Sequence, residues 1–390
     1  MKPFQFSGIP RIILRSGGLN DLPDIIAAYG REIILVTGKS SFTNTRHASE
    51  LIKVLETKGI RYSIIRIPGE PDPDMIDNAV REFRDRNAAL VVAIGGGSVI
   101  DAGKAISAMM NTEGSVEDYL EEVGTKEHRG TKLPFIAVPT TSGTGSEATK
   151  NAVISRTGKN GFKRSLRHDN FVPDIALVDP ELTLDCPPAI TAASGMDCFT
   201  QLAEAWLSTK GNEYTDALAI EGIKAIKTSL LRSYIEGKDI EARSGMSFAA
   251  LTSGICLANA GLGVVHGFAS SIGGTYDIPH GLVCGTLMAV SNEITVRKLR
   301  ATGSNPGALK KYATLGRIFL DDENRNDDYY ITGFISYLHD LTVKLQIPGL
   351  KSQGLEENSI EEICSVTGSK NNPVALDKDE LMEIVSRRLI

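Results

Sequence analysis

The sequence predicts two domains, an α/β domain built on a parallel sheet followed by an all-helical domain. In the first part of the chain, short runs of β-branched residues alternate with segments of helical spacing, a pattern typical of βαβ units. Beyond Asp179 the strand-like runs stop, and helical periods rich in Ala, Leu and Glu continue almost to Ile390. A length of 390 residues also exceeds what one hydrophobic core usually supports. We therefore place the domains at residues 1–186 and 187–390, on either side of a Cys-Pro-Pro interruption.

Apolar runs and helical periodicity predict the individual elements. Each predicted strand is a short run rich in Val, Ile and Leu, and each predicted helix has apolar residues three or four positions apart. The predicted strands are Ile33–Val36, Tyr62–Ile67, Leu90–Ile94, Phe135–Val138 and Ile175–Val178, and the predicted helices of the first domain are Leu51–Lys58, Met75–Phe83 and Val99–Met110. In the second domain we expect a helix from about Pro188 to Ser208 and a solvated loop at Asp321–Asp328.

The composition argues against several classes of protein. Apolar residues make up 42% of the chain and charged residues 23%, which is typical of folded soluble domains and argues against disorder. A formal net charge of −6 provides no general attraction for nucleic acids or anionic membranes, so we expect neither as a partner. The segment Gly254–Tyr276 has the length and low charge of a membrane span, but its many glycines favour a tightly packed, buried helix pair.

The cysteines predict a reducing environment. The chain has five of them, scattered and never in a CxxC pair, which is typical of reduced thiols rather than of a disulfide framework. The N-terminal sequence Met-Lys-Pro-Phe-Gln-Phe-Ser also lacks the apolar core of a signal peptide. We therefore expect a cytoplasmic location.

Two loops that follow predicted strands have the composition of a nucleotide site. The strand Leu90–Ile94 is followed by Gly95–Ser98 and then by a helix, and glycines at such a turn let backbone N–H groups approach a phosphate. A plain tight turn would explain the same glycines. The next strand is followed by Pro139–Thr149, which has six hydroxyl side chains and two glycines at the edge where doubly wound sheets bind ligands.

The end of the first predicted strand bears on the choice of cofactor. Dinucleotide sites often have an Asp at this tip, whose carboxylate accepts hydrogen bonds from the ribose hydroxyls and repels a 2′-phosphate. Here Gly38 takes that position, and Lys39 and Ser40 follow. We therefore expect NAD(P) as the cofactor, with NADP(H) preferred.

Four residues of the second domain could bind one divalent cation. Asp197 and Gln201 are four residues apart on a predicted helix and so share a face, while His266 and His280 lie in Val-His-Gly and Pro-His-Gly. A carboxylate, two imidazoles and an amide oxygen would suit iron or zinc. The same residues would also suit a helix cap and hydrogen-bonded core histidines, and their spacing alone leaves both interpretations open.

Taken together, these residues resemble the iron-containing (group III) alcohol dehydrogenase family, whose fold is shared with glycerol dehydrogenase and dehydroquinate synthase. The resemblance covers nearly the whole chain, and several motifs occur in one order. They are GGGSVIDAGKA at Gly95–Ala105, PTTSGTGSEAT at Pro139–Thr149, PDIALVDPELT at Pro173–Thr183, GMD at Gly195–Asp197, VHGFA and IPHG around the two histidines, and SKNNPVAL at Ser369–Leu376. The resemblance implies a Rossmann-like domain, an all-helical metal domain and an active site in the cleft between them.

The resemblance also implies roles for individual residues. Asp197, His266 and His280 match three of the family's metal ligands, and Asp101 and Lys163 are our catalytic candidates near the nicotinamide. The residues implied or expected to bind the cofactor are Gly38, Ser40, Asp72, Gly95, Gly96, Gly97, Ser98, Asp101, Thr140, Thr141, Thr144, Asn151 and Lys163. Because members usually form dimers or larger assemblies, we expect a homo-oligomer, and Arg11–Leu14 could supply a strand edge for it.

Two positions depart from the family pattern. The family usually has histidine where Gln201 stands, and glutamine offers a carbonyl oxygen, which is a harder and weaker donor than imidazole. Near Ser270 the family commonly has another histidine, thought to help move protons. We expect reversible oxidation of a primary alcohol by NAD(P), with the cation lowering the pKa of the alcohol. The departures leave two alternatives open, a metal-independent carbonyl reductase similar to the maleylacetate reductases and a catalytically inactive nucleotide-binding homologue.

Overall fold

The computed structural model of the chain describes residues 3–158 and 161–390. Six parallel strands form one sheet in the order β1-β8-β5-β4-β2-β3, and β6 and β7 form a separate antiparallel hairpin. The strands are β1 (Arg11–Leu14), β2 (Glu32–Gly38), β3 (Arg61–Ile67), β4 (Leu90–Gly95), β5 (Phe135–Pro139), β6 (Asn151–Arg156), β7 (Phe162–Arg167) and β8 (Ile175–Val178). The helices of this domain are α1 (Leu22–Tyr29), α2 (Arg46–Thr57), α3 (Pro73–Phe83) and α4 (Gly97–Met109), which confirms the predicted α/β class.

Alternate residues of the central strands pack on opposite faces of the sheet. In β4, Val91 and Ala93 belong to the core formed with α3 and α4, whereas Leu90 and Val92 belong to the core formed with α1 and α2. Because both faces are covered, the strands are continuous apolar runs. This explains why all five predicted strands are present to within two residues of their predicted ends.

Helix α2 begins earlier than predicted. The apolar periodicity starts at Leu51, but the helix starts at Arg46, after Thr45. The Thr45 hydroxyl accepts a hydrogen bond from the Ala48 N–H and caps the helix, so a polar first turn precedes the apolar face.

The β6–β7 hairpin is the main element that the sequence did not predict. Three of the six residues of β7 are charged, so this strand lacks the apolar run by which strands are recognised. The hairpin packs over α4 and α8, and its register places Asn151 opposite Arg167 and Ser155 opposite Lys163. It therefore forms a link between the sheet domain and the helical domain.

The second domain consists of helices in the part of the chain that the structure describes. They are α5 (Pro188–Leu207), α6 (Glu213–Ile235), α7 (Ile240–Ala260), α8 (Val264–Thr275), α9 (His280–Thr302), α10 (Pro306–Phe319), α11 (Asp327–Lys344), α12 (Ile360–Val366) and α13 (Lys378–Arg387). The predicted loop before α11 is exposed, but its last two residues, Asp327 and Asp328, form the first turn of the helix.

Helix α5 is the central helix of this domain. It packs against α6, α7 and α9, and every residue from 195 to 205 is buried. A helix surrounded on all sides must place any polar residue in that stretch in the interior as well. This is why Asp197, Gln201 and Glu204 are buried.

Helices α7 and α8 form the buried helix pair predicted for the segment Gly254–Tyr276, and the structure shows that the pair is bent. They are inclined by 96° to each other, and Gly261 between them has a φ of 68°, in the left-handed region that favours glycine. Within residues 3–158 and 161–390, no single helix has the length and apolar character of a membrane span. The two helices α7 and α8 meet these criteria only when they are taken together, and no other bent pair of described helices does so.

The two domains touch through the backbones of two glycines. Gly145, with a φ of +63°, lies in the loop after β5, and Gly254 lies in α7. A Cβ atom on Gly254 would be 2.1 Å from the Gly145 carbonyl oxygen. Because that oxygen belongs to the backbone, a rotamer change could not relieve the clash. The loop that contains Thr144 is therefore positioned by a contact that tolerates only glycine.

We predict that Gly254→Ala destabilises the protein by about 1–3 kcal/mol, since the added methyl group forces the loop and α7 apart. Gly307→Ala is a matched control because Gly307 lies in the first turn of α10 and a Cβ there would meet only Asn305, at 3.5 Å. Urea unfolding of both variants measures the difference. Equal stability of the two variants would contradict the proposed contact.

Candidate cofactor cleft and metal centre

A cavity of about 200 Å³ lies between the domains and brings sequence-predicted residues together. The first turn of α4, the β6–β7 hairpin and helices α5, α8 and α9 contribute to its walls. Nine of the predicted site residues line it, namely Gly97, Ser98, Asp101, Thr144, Asn151, Lys163, Gln201, His266 and His280. The nucleotide and metal candidates therefore face one cleft, although they come from distant parts of the chain.

The turn between β4 and α4 requires glycine for steric reasons. A Cβ on Gly95 would be 2.6 Å from the Val99 side chain, and a Cβ on Gly97 would be 2.7 Å from the Thr144 side chain. Gly96 is the N-cap residue of α4, so no side chain caps the first-turn N–H groups of this helix. Uncapped N–H groups at a helix N-terminus are the donors that a phosphate needs.

The other predicted cofactor residues lie at the same edge of the sheet. Thr140 and Thr141 follow β5, and the Thr140 N–H donates to the Gly95 carbonyl at 2.9 Å. Gly38 ends β2, which is the neighbour of β4 on its other side, and Ser40 follows it on the surface. The carboxyl ends of three adjacent strands thus form one continuous wall, where doubly wound sheets bind ligands.

Asp72 has a structural partner. Its carboxylate accepts a hydrogen bond from the Met75 N–H at 2.8 Å and caps α3. It is not among the residues that line the cavity, and its role toward the cofactor stays a prediction. Glu70, which the sequence did not single out, lines the cavity instead and accepts hydrogen bonds from Ser98 Oγ at 2.8 Å and Lys163 Nζ at 3.0 Å.

The catalytic candidate Asp101 is buried in the first turns of α4. Its Oδ2 accepts a hydrogen bond from the Val153 N–H at 3.1 Å, whereas Oδ1 has no partner among the described residues. Burial raises the pKa of Asp101 to about 6. Lys104 lies nearby, and burial lowers its pKa to about 8.

The hairpin residue Asn151 and the buried Lys104 organise the wall beside Asp101. Lys104 Nζ donates to the carbonyl oxygens of Ser146, Thr149 and Asn151 at 2.7–2.9 Å. The Asn151 side chain donates through Nδ2 to Ser165 Oγ at 3.2 Å, and its Oδ1 is buried without a partner in the described part of the chain. An unpaired amide oxygen and an unpaired carboxylate oxygen at one cleft are suitable acceptors for polar groups of a ligand.

Three of the four predicted metal ligands point at one place. Asp197 comes from α5, His266 from α8 and His280 from the first position of α9. Asp197 Oδ1 lies 3.3 Å from His266 Nε2 and 3.7 Å from His280 Nε2. Burial lowers the pKa of His280 to about 4, although Asp197 acts in the opposite direction, so the ring is neutral at pH 7. Neutral imidazole is the form that binds a metal ion.

Glu204 fixes the orientation of His266. Its carboxylate accepts hydrogen bonds from His266 Nδ1 at 2.8 Å and from the N–H groups of Gly263 and Val265 at 2.8 and 2.7 Å. With Nδ1 held in this way, Nε2 faces Asp197. A carboxylate that orients a histidine through its second nitrogen is typical of metal sites. Glu204 was not predicted from the sequence, although it lies seven residues after Asp197 and so shares its helix face.

Gln201 contributes to the cluster through its amide nitrogen. Nε2 donates to Asp197 Oδ1 at 3.2 Å, and Oε1 accepts a hydrogen bond from Ser253 Oγ at 2.7 Å. Both ends of the amide are therefore hydrogen-bonded within the protein. The role of Gln201 as a metal ligand stays a prediction, and in this orientation its oxygen faces Ser253.

Ser270, which stands where the family commonly has histidine, is beside a lysine. Ser270 Oγ donates to the His266 carbonyl at 2.9 Å and accepts from Lys370 Nζ at 3.2 Å. Lys370 lines the cavity and forms no ion pair with a carboxylate within residues 3–158 and 161–390. Lys370 was not predicted from the sequence, because it lies a hundred residues from Ser270 and in no recognised spacing with it.

The residues of the cleft suit both the dinucleotide cofactor and the divalent cation that the resemblance implies. A glycine turn with uncapped N–H groups suits a pyrophosphate. A carboxylate with two imidazole nitrogens within 3.7 Å suits a divalent cation, and His280 Nδ1 is buried without a partner among the described residues. The candidate site can therefore hold a dinucleotide and a cation in one cleft.

Comparison with known families covers both domains. Residues 10–180 match the family model described as iron-containing alcohol dehydrogenase. Residues 191–389 match the model of the C-terminal domain of the Fe-containing alcohol dehydrogenase family.

Individual relatives and structures agree with this match. Alcohol dehydrogenase 4 of Saccharomyces cerevisiae is 31% identical over 382 residues, covering 95% of this chain and 94% of that protein. An NADPH-dependent butanol dehydrogenase of Clostridium saccharobutylicum is 32% identical over 390 residues, covering 96% of each chain. The crystal structure of a 1,3-propanediol oxidoreductase aligns with a TM-score of 0.89 and 26% identity, covering 99% of this chain and 100% of that one.

We predict that the free energy of unfolding of Asp101→Asn, relative to that of the wild-type chain, is higher at pH 7.5 than at pH 4.5. The folded protein holds the Asp101 proton up to about pH 6, whereas an unfolded carboxyl group loses it near pH 4. The wild-type chain therefore loses stability as the pH rises through this window, by about 2 kcal/mol between the two pH values. Asparagine does not titrate and avoids this loss.

Urea unfolding of both chains at the two pH values measures the effect, and Asp321→Asn, at a carboxylate with 95% side-chain exposure, controls for removal of a surface charge. A difference between Asp101→Asn and wild type that is the same at both pH values would contradict the raised pKa.

Proposed function

Because the chain belongs to the iron-containing alcohol dehydrogenase family, we propose that it interconverts a small primary alcohol and its aldehyde, using NADP(H) in preference to NAD(H) and one divalent cation. Hydride transfer between an alcohol and NAD(P) follows from membership of the family. One observation carries the metal part of the proposal. The Nε2 atoms of His266 and His280 both lie within 3.7 Å of Asp197 Oδ1, beside the cleft that the nucleotide turn also lines.

Asp197, His266 and His280 would hold the cation, with Gln201 and Glu204 orienting the first two. When bound, the cation supplies Lewis-acid chemistry toward the alcohol or aldehyde oxygen. The chain fixes the position of this site rigidly because its donors come from three packed helices. Rigid placement of the two reactants contributes to rate by proximity and orientation.

The cofactor would lie along the carboxyl ends of the strands. Gly95–Ser98 and Thr144 would bind the pyrophosphate through backbone N–H and hydroxyl groups. Asp101, Asn151 and Lys163 line the wall between this turn and the histidines, where the nicotinamide must lie for hydride transfer to reach the substrate.

Lys370 is the candidate for the proton route. The alcohol proton must leave the buried end of the cleft, and Ser270 has no useful basicity of its own. Lys370 Nζ lies 3.2 Å from Ser270 Oγ and forms no ion pair with a carboxylate in the described part of the chain. We propose that its amino group exchanges this proton with solvent, through Ser270 or through water.

A metal-independent reduction of an acidic carbonyl compound is the second candidate. Three basic residues, Lys163, Arg167 and Lys370, line the cavity and favour it. However, Lys163 pairs with Glu70 at 3.0 Å and Arg167 with Glu121 at 2.6 Å, so only Lys370 remains for an anionic substrate. Metal removal distinguishes the two candidates.

We predict that metal removal by a chelator lowers kcat/KM for aldehyde reduction by at least about 100-fold, which is about 2.7 kcal/mol of transition-state stabilisation, and that added Zn²⁺ or Fe²⁺ restores it. Asp197→Asn should show the same loss without restoration, while Asp24→Asn, at an exposed carboxylate paired with Lys58, should behave as wild type. The assay is a panel of alcohols and aldehydes with NAD(H) and NADP(H), on protein of known metal content. Full turnover by metal-free protein would favour the second candidate.

We predict that Gly38→Asp lowers the ratio of kcat/KM for NADPH to that for NADH by at least about tenfold, equal to about 1.4 kcal/mol. The new carboxylate at the end of β2 would repel a 2′-phosphate and accept hydrogen bonds from ribose hydroxyls. Gly38→Ala is the matched control, because it adds a side chain without charge beside the flexible Ser41 hydroxyl. An unchanged ratio in Gly38→Asp would show that the 2′-phosphate lies elsewhere.

The assembly and location of the protein are also proposals. Strand β1 pairs only with β8, so its other edge is open in the chain described here, and we propose that it pairs with a second copy in a homodimer. All five cysteines are free thiols, which supports a cytoplasmic location.

A further inference from the structure

A cysteine that the sequence analysis did not connect with the site completes the group of donors around Asp197. Cys284 lies in α9, four residues after His280, so both side chains are on the same face of the helix. Its side chain is fully buried. One nitrogen, oxygen or sulfur from each of Asp197, His266, His280 and Cys284 lies within 4.8 Å of the others. Within residues 3–158 and 161–390, no other cysteine belongs to such a group.

The distances between these donors match those around one tetrahedral ion. With bonds of about 2.1 Å to nitrogen or oxygen and about 2.3 Å to sulfur, neighbouring donors of a tetrahedral site are about 3.4–3.6 Å apart. Cys284 Sγ lies 3.7 Å from His266 Nε2 and 3.8 Å from His280 Nε2. Asp197 Oδ1 lies 3.3 and 3.7 Å from the same two nitrogens. Four of the distances between donors therefore agree with those of a tetrahedral site to within a few tenths of an ångström.

The environment of the sulfur also differs from that of a packing cysteine. Cys256, in α7, is buried as well, but its Sγ donates to the Thr215 carbonyl at 3.7 Å and belongs to no group of metal-binding side chains among the described residues. Cys284 Sγ faces two imidazole nitrogens and the Asp197 carboxylate. A thiol surrounded by three metal-binding groups is poorly explained by apolar packing.

The amide of Gln201 does not compete for the same place. Its nitrogen donates a hydrogen bond to Asp197, and its oxygen accepts one from Ser253, which lies in α7. Turning the amide oxygen toward the donors would break the hydrogen bond to Asp197 and bring two oxygen atoms face to face until a cation bound. Cys284 of α9 is therefore a more suitable fourth donor than Gln201 of α5.

We propose that Cys284 is a ligand of the bound cation, so that Asp197, His266, His280 and Cys284 form a four-donor set containing one sulfur. The proposal rests on the metal dependence of the proposed function. Cys284 loses its proton to solvent when the metal–sulfur bond forms. Gln201 is then a positioning residue that holds Asp197. Since thiolate is a soft ligand, this donor set favours zinc over iron(II).

The test loads chelator-treated full-length protein with one equivalent of Co²⁺, which reports thiolate ligation by a near-ultraviolet charge-transfer absorption. We expect this absorption in the wild type and in Cys256→Ser, and its loss in Cys284→Ser. Cys284→Ser should also weaken zinc affinity by at least about tenfold, because a hydroxyl is a poorer ligand than a thiolate. Cys256→Ser is matched in chemistry and burial but lies outside the donor set.

The outcomes separate this proposal from the proposed function. Stoichiometric Co²⁺ binding without the thiolate absorption would overturn the role of Cys284 and leave a metal-dependent enzyme. No Co²⁺ binding by a protein that still reduces aldehydes would overturn both. If Cys284→Ser does not fold, X-ray absorption of the zinc-loaded wild type decides, with one sulfur at about 2.3 Å supporting the proposal and nitrogen or oxygen neighbours alone overturning it.

Discussion

The candidate site depends on one buried carboxylate. Asp197 is 1% exposed, and an ionised carboxylate taken out of water must be compensated by hydrogen bonds or positive charge. Burial raises the pKa of Asp197, but the imidazoles of His280 and His266 outweigh this effect and hold the pKa below its ordinary value. Because His280 is itself neutral at pH 7, it brings no full positive charge to the carboxylate at that pH. Burial lowers the pKa of His266, but Cys284, Asp197 and Glu204 outweigh this effect and hold it well above its ordinary value. The proton on His266 therefore balances the Asp197 charge when no cation is bound, and a cation would replace that proton. A buried carboxylate balanced by one exchangeable proton is the electrostatic condition for binding a cation.

That condition is maintained by the fold. Glu204 joins α5 to the first turn of α8 by accepting the N–H groups of Gly263 and Val265, and the same carboxylate holds His266. A change in the packing of α8 would thus move a donor of the candidate metal site. On the other side of the cleft, the contact of Gly145 with Gly254 positions the hydroxyl-rich loop on α7. Both walls of the cleft are therefore attached to helices of the second domain, one wall to α5 and α8 and the other to α7.

Much of the fold was predictable because burial on both faces of the sheet leaves continuous apolar runs, as in β4 and β5. The β6–β7 hairpin was not, since β7 contains Lys163, Arg164 and Arg167 and is stabilised by pairing and by contacts with α8 rather than by an apolar run. Apolar patterns report burial in a core, and only one face of this hairpin, with Ala152, Ile154 and Leu166, is in the core, while the other face lines the cleft.

The residues of the candidate site also divide into those that could be predicted from the sequence and those that could not. Asp197 and the two histidines were recognised from residue types, and the structure brings them together. Glu70 was missed because its partner Lys163 is 93 residues away, and a contact of that kind has no spacing to recognise. Cys284 does have a recognisable spacing, four residues after His280 on one helix. It was not predicted because scattered cysteines without a CxxC pair indicate reduced thiols and do not by themselves indicate a partner of a nearby histidine.

The two departures from the family pattern have different consequences for the chemistry. At position 201 an amide replaces imidazole, and a sulfur from α9 lies where it can restore the number of donors. A thiolate donates more negative charge to a cation than imidazole does, so the cation becomes a weaker Lewis acid. Other positive charge near the substrate oxygen then matters more. Lys370, brought to Ser270 from the loop before α13, is placed to supply it. The proposed ligation by Cys284 and the proposed role of Lys370 would then be linked, because the first reduces the electrophilic assistance that the second can partly replace.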